Sequence, residues 1–181
     1  GPASRTATVS VTGGHDAGYW ILFCPGAGNS IHFPRVQAQL QQLAGLGYNV
    51  LAFDYRGFGR TGGLPTESGL YDDAMTAYRY LTVVRRVPPS RVILAGRSLG
   101  SAVAVELATR VPSAGALLLS PIESVPATAA LLYPWVPVYL LATNRFDSAD
   151  KIGRIQVPVV VGHRTNDRVV PQHAATGLFA P

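Results

Sequence analysis

Residues 91–110 read "RVILAGRSLGSAVAVELATR". The opening run is apolar and β-branched and stops on Gly96, the pattern of a buried strand. From Leu99 onward the pattern is helical, until Pro112 halts it. Ser98 stands at the junction with a glycine two residues to either side, a G-x-S-x-G element in the strand-to-helix context that makes it informative. A bend that sharp strains the serine backbone, and Gly96 and Gly100 avoid the clashes that larger neighbours would bring. The hydroxyl then stands above the amino end of the helix, whose dipole and free N–H groups favour an oxyanion. Ser101, Ala102 and Ala104 are small enough to let that helix lie close to the sheet. The competing reading is a glycine-flanked turn whose serine only caps the helix.

Similar runs recur on both sides of this stretch: "TATVSV" (6–11), "YWILFC" (19–24), "YNVLAF" (48–53), "GALLLS" (115–120) and "VPVVVG" (157–162). After the first they are continuous rather than alternating, as expected of strands buried on both faces of a parallel sheet. Helical patterns separate them. "RVQAQLQQLAGLG" ends on a glycine, and "ESGLYDDAMTAYRYLTVV" ends before Arg85, Arg86 and the Pro88–Pro89 pair. Alternating strand and helix over this length predicts an α/β, doubly wound, mostly parallel sheet. The first two strands, joined by "GGHDAG", are expected to form an antiparallel hairpin at one edge. The expected organisation is a tag scar and linker over 1–5, then one domain over 6–181.

Composition excludes several classes of function. Of 181 residues 48% are hydrophobic and 14% charged, which describes a globular chain and not a disordered one. The net charge of +5 comes mostly from arginines (Arg35, Arg56, Arg79, Arg110, Arg145, Arg168) that are scattered. No nucleic-acid partner is expected, since a binding footprint would gather them on one stripe. A mild attraction to anionic membrane surfaces is the minor alternative. The single cysteine, Cys24, excludes an internal disulfide and offers no metal cluster. The apolar stretch from Thr128 to Thr143 is broken by Pro134 and Pro137 and too short to span a bilayer. The chain reads as soluble, with its location unassigned and an upstream anchor left open.

In open α/β sheets, sites form where strands end. "CPGAGNS" after the second run supplies a glycine-rich bend, and the backbone N–H of Gly26 is the expected oxyanion donor, with that of Leu99 as the other. Phosphate cradling is discounted, because there is no G-x-x-x-x-G-K pattern. Asp167, in the loop after the last run, is the expected acid that orients an imidazole. Its competing role is a cap for a "VPQHAATGLF" helix, and Glu123 is the runner-up acid. Asp54, Arg56, Gly57 and Gly59 are expected to shape a turn and pair locally. Glu67, Asp72 and Asp73 suit the start of a helix. Tyr133, Trp135 and Tyr139 either line an acyl pocket or pack a surface segment.

Taken in order, "VLAFDYRGFGRTGGLPTESGLYDDAMTAYRYL", "RVILAGRSLGSAVAVELA", "LLLSPIESV" and "YPWVPVYLLATNRFDSADKIGRIQVPVVVGHRTNDRVVP" resemble the α/β-hydrolase superfamily. The similarity runs from Tyr19 to Phe179. It is closest to the small cap-less serine esterase, lipase and thioesterase branch, with its monoacylglycerol-lipase-like and depalmitoylase-like members. The resemblance implies Ser98 as nucleophile and Asp167 as triad acid. Two segments depart from the pattern. Cys24-Pro25-Gly26-Ala27-Gly28 stands where such relatives carry His-Gly-Asn-x-Gly, and His163-Arg164 stands for a His-Gly pair.

In this fold the histidine follows the acid by one further strand. The residues after Asp167 look like a single helix, and His173 lies too near the acid to bridge it to Ser98. His15 and His163 read as structural, and His32 lies just past the oxyanion bend. The expectation is that the last strand, the catalytic histidine and the final helix are missing from this chain. The leading function is hydrolysis of carboxylic esters or thioesters through an acyl-enzyme, with no cofactor or metal and with an incomplete triad. The alternatives are a non-catalytic hydrolase-fold binding protein, or a peptidase or acyltransferase on the same scaffold. The expected partner is a small-molecule ester or acyl substrate, with self-association through an edge strand as a further contact.

Overall fold

The computed structural model describes residues 9–12, 18–132 and 143–163, with the side chains of 9–12 and 130–132 left aside. Its centre is a six-stranded sheet of β1 (Val9–Thr12), β2 (Trp20–Cys24), β3 (Asn49–Phe53), β4 (Val92–Arg97), β5 (Gly115–Leu119) and β6 (Val159–Gly162). The strand order is β1-β3-β2-β4-β5-β6. β2 to β6 run parallel, and β1 pairs antiparallel. This is the α/β, mostly parallel sheet that the apolar runs predict.

The hairpin expectation is overturned. β1 pairs with β3, Val9 opposite Phe53 and Thr12 opposite Val50, and not with β2. Both edges of β2 are occupied by parallel neighbours, β3 and β4. The first strand therefore finds its partner on the outer edge of β3. Its alternating sequence suits an edge position, whereas the continuous "WILFC" suits the middle.

Strand side chains alternate between faces, so each continuous run feeds two cores at once. Ile21, Phe23, Val50, Ala52 and Ala95 pack with Val36 and Leu40 of α1 (Pro34–Gly45). Leu22, Cys24, Leu51, Phe53, Leu94 and Leu118 pack with α2 (Glu67–Arg79) and α3 (Leu99–Ala108). Apolar residues at both parities are what burial on both faces demands.

The helix ends follow local chemistry. α1 opens on Pro34, whose missing N–H costs nothing in a first turn. α2 is capped by Thr66, whose hydroxyl accepts from the N–H of Gly69 at 3.2 Å. The α-helix expected to run to Val84 ends at Arg79, and Tyr80–Val84 widen into a π-turn closed by the Arg85 N–H on the Tyr80 carbonyl. The wider turn keeps Leu81 buried and leaves Val83 and Val84 outside. Two further helices have no counterpart in the apolar patterning, α4 (Val125–Leu132) and the single turn α5 (Ala149–Ile152). Pro126 hides the first of them, although a proline in a first turn is compatible with a helix.

Candidate active site

β2 is the strand from which the chain winds outward in both directions, so the crevice beyond β2 and β4 is the topological switch point of the sheet. The register sets Cys24 opposite Gly96. Two glycines lock these strand ends together. A Cβ on Gly96 would lie 2.0 Å from the Gly100 carbonyl oxygen, and one on Gly100 would lie 2.0 Å from that of Cys24. Only bare backbone fits in both places.

Ser98 sits at the bend with φ 52° and ψ −122°, a conformation that serine adopts at a cost of about 1–3 kcal/mol. Its N–H donates to the Leu119 carbonyl at 3.0 Å, and its own carbonyl accepts from the N–H and hydroxyl of Ser101. Leu99 is the first residue of α3, where N–H groups lack helical partners. A Cβ on Gly26 would stand 3.5 Å from the Ser98 Cβ and 3.2 Å from the Arg97 carbonyl oxygen. Ser98, Gly26 and Leu99 therefore meet at one point, above a helix amino end whose dipole favours negative charge.

The loop that carries Gly26 is held by a residue the sequence pattern does not flag as part of the site. Asp54, 2% exposed at the end of β3, accepts from the Ser30 hydroxyl at 3.0 Å and the Ile31 N–H at 2.8 Å. A Cβ on Gly59 would come within 2.3 Å of that carboxylate, which is why this turn needs glycine. Asp54→Ala would leave two buried donors without an acceptor. The expected loss is about 2–4 kcal/mol in urea unfolding, together with a loosened Gly26 loop. Unchanged stability would show that the carboxylate does not hold the loop.

Arg56 also reaches beyond its own turn. Its guanidinium grips both carboxylate oxygens of Asp73, the shortest contact being 2.7 Å, and its N–H joins the same carboxylate at 2.8 Å. The local pairing expected for Asp54 and Arg56 is thus replaced by longer ties, one to the Gly26 loop and one to α2. Asp73 serves as an anchor for the turn and not as a helix-start charge.

Beside Ser98 lies a cleft of about 380 Å³ lined by Ala27, Phe58, Pro65, Leu70, Leu99, Ile122, Val125, Thr128, Ala129, Asn144 and Phe146. The lining is mainly apolar, which suits a hydrocarbon chain more than a sugar or a phosphate. A larger cavity of about 670 Å³ lies on the α1 side of the sheet and is lined by Arg35, Arg97, Ser120 and His163 among others, but not by Ser98.

Below the cleft, α2, α3 and α5 share a group of charges. Glu106, 6% exposed, pairs with Arg110 and with Lys151 at 2.6 Å. Lys151 also donates to the Tyr71 hydroxyl at 3.1 Å, which donates to Glu67 at 2.8 Å. Burial works against a charge on Glu67, but the N–H groups of Phe146 and Arg145, the Tyr71 hydroxyl and Lys151 outweigh it and hold its carboxyl below the usual range. A lowered folded pKa means stability that is complete above the ordinary carboxylate range and lost as pH falls through the folded value. Urea midpoints should therefore fall on acidification below that range, and Glu67→Gln should flatten part of the slope. Equal slopes in both proteins would assign the effect to other carboxylates.

Of the other candidates, Asp167, His15, His173, Tyr133, Trp135 and Tyr139 lie outside the described residues. Glu123 follows β5, half-buried, and its carbonyl accepts from the Ser148 N–H at 2.8 Å. His32 is exposed, and neither it nor His163 lines the Ser98 cleft. Cys24 is buried, and burial pushes its thiol up to about 12, with Tyr55 opposing, so it is a neutral packing group and not a rival nucleophile. Among the described residues, no group of side chains is placed to hold a metal ion, and no helix is long and apolar enough to cross a membrane.

Residues 19–151 match the family model described as the alpha/beta hydrolase fold. The chain is 36% identical to an uncharacterized protein of Mycobacterium tuberculosis, over 99% of its own length and 67% of the relative's. It is 32% identical to the lysophosphatidylserine lipase ABHD12 of Danio rerio, over 88% of this chain and 46% of that protein. Among solved structures, Est1E from Butyrivibrio proteoclasticus, with ferulic acid bound, superposes with a TM-score of 0.79 at 16% identity, over 95% of this chain and 80% of that one.

Proposed function

Since the chain belongs to the alpha/beta hydrolase fold family, we propose that it is a serine hydrolase of carboxylic esters or thioesters, with Ser98 as its nucleophile. The observation that carries this reading is the strained Ser98 backbone, φ 52°, held against Gly26 at the sheet's switch point. Strain of this kind persists only where the surroundings enforce it, and it is concentrated at working sites. The Ser98 hydroxyl attacks the carbonyl carbon while its proton passes to an imidazole oriented by Asp167, a histidine that the sequence reading assigns to no residue of this chain. The oxyanion of the tetrahedral adduct takes N–H donors from Gly26 and Leu99. Collapse expels the alcohol or thiol with that proton, and water then cleaves the acyl-enzyme.

The apolar cleft supports an acyl group as the recognised part of the substrate, and so does a relative named as a lysophosphatidylserine lipase. An oxyanion hole and a nucleophile need no metal, and none enters the proposed steps. The test is covalent labelling of the full-length protein with a fluorophosphonate, the site mapped by mass spectrometry, beside a panel of p-nitrophenyl esters and acyl thioesters. Labelling at Ser98 that vanishes in Ser98→Ala is the expected result. No labelling and no turnover across the panel would replace this reading with a non-catalytic, ligand-binding one.

A further inference from the structure

Phe146 lines the Ser98 cleft yet is only 4% exposed, so its ring forms the floor and not the rim. Its φ of 49° lies in the left-handed region, unusual for a bulky residue and stable only where neighbours enforce it. The neighbour that does so is Glu67, which does not itself line the cleft. Its carboxylate accepts from the Arg145 N–H at 2.7 Å and from the Phe146 N–H. Its own N–H donates to the Asn144 side-chain oxygen at 2.9 Å. Arg145 and Phe146 thus hang on the Glu67 carboxylate and Asn144 on the Glu67 N–H, and of these three Asn144 and Phe146 line the cleft. Tyr71, one turn further on, sets its ring edge-on to Phe146 at 5.6 Å and ties its hydroxyl back to Glu67. The Arg145 carbonyl completes the support by accepting from the N–H of Val125, another residue of the lining.

We propose that Glu67 is a positioning residue that fixes Phe146 as the floor of the Ser98 cleft, so that this pair sets the length of acyl chain the protein accepts. The inference rests on the acyl-hydrolase reading above. An apolar chain entering the cleft gains about fourfold in affinity per methylene until it meets the ring, after which further methylenes gain nothing.

The test is binding of a homologous series of straight-chain carboxylates to the full-length protein, read by displacement of a fluorescent fatty acid. The unaltered protein should show a rise followed by a sharp cut-off in chain length. Phe146→Ala should move the cut-off to longer chains. Glu67→Gln, whose NH2 group replaces one of the two accepting oxygens, should blur it or move it the same way while affinities for the shortest members stay within about twofold. A merely structural role would weaken every chain length together. Glu67→Asp should recover part of the cut-off, and Phe146→Trp, expected to shorten it, carries the test if Glu67→Gln does not fold. A folded Glu67→Gln or Phe146→Ala protein with the original cut-off would overturn the inference. Ser98 labelling with no chain-length preference overturns it too but leaves the hydrolase reading standing. Absence of both labelling and binding removes the two together.

Discussion

Gly100→Ala should destabilise the protein by about 3 kcal/mol or more, at or beyond the upper end of the usual cost of overpacking. The added Cβ would meet the Cys24 carbonyl oxygen at 2.0 Å and that of Pro25 at 2.5 Å. Both obstacles are backbone at the end of a central strand, so no rotamer change relieves them. Either α3 lifts away from β2 or the Gly26 loop is displaced, and either movement dismantles the arrangement around Ser98. For a domain of this size the melting temperature should drop on the order of 10 °C, and Ser98 labelling should vanish. Gly45→Ala is the control, since nothing lies within 4 Å of a Cβ there and α1 gains a better helix former. Equal melting temperatures for the Gly100 and Gly45 variants would refute the tight interlock.

Ser98→Gly should give the opposite combination, a more stable protein with no activity. Serine at φ 52° and ψ −122° carries strain that glycine does not. Relief of about 1–3 kcal/mol is offset by the greater freedom of glycine in the unfolded chain, which leaves a gain of about 1 kcal/mol. Hydrolysis should fall on the order of 10⁴–10⁶. Ser98→Ala should lose activity equally, without the gain in stability, because alanine keeps the Cβ. Chemical unfolding of the three proteins separates the cases. A Ser98→Gly protein no more stable than its alanine counterpart would mean that the bend is not strained.

The strands and the three long helices are legible because burial writes itself directly into local sequence. "WILFC" and "VILAG" have no polar position to offer solvent, so they fit only inside a sheet covered on both faces. The Ser98 bend is legible for a similar reason, since the glycines that permit it lie two residues away. Pairing of β1 is less accessible, because a strand's partner depends on which edges remain free after the rest of the sheet has formed. The supports of the site are harder still. Asp54 acts on Ser30, and Glu67 acts on Arg145, each across long stretches of chain. In sequence such residues look like turn formers or helix-start acids, and only the folded chain shows what their carboxylates hold. Asp167 is a sequence reading that lies outside the described residues.

The neighbour of Gly100 has a consequence for the order in which the molecule matures. Cys24 and Gly96 face each other across two strands that are distant in the chain, with α1, β3 and α2 translated between them. The contact that forces Ser98 out of a relaxed backbone is therefore among the long-range ones, and pairings of that kind close slowly. A nascent or partly folded chain has the serine but not the wall that bends it. Until the central parallel pair zips, Ser98 belongs to an ordinary loop with an ordinary hydroxyl. On the hydrolase reading proposed above, a copy in which this pair has not formed is expected to label poorly at Ser98.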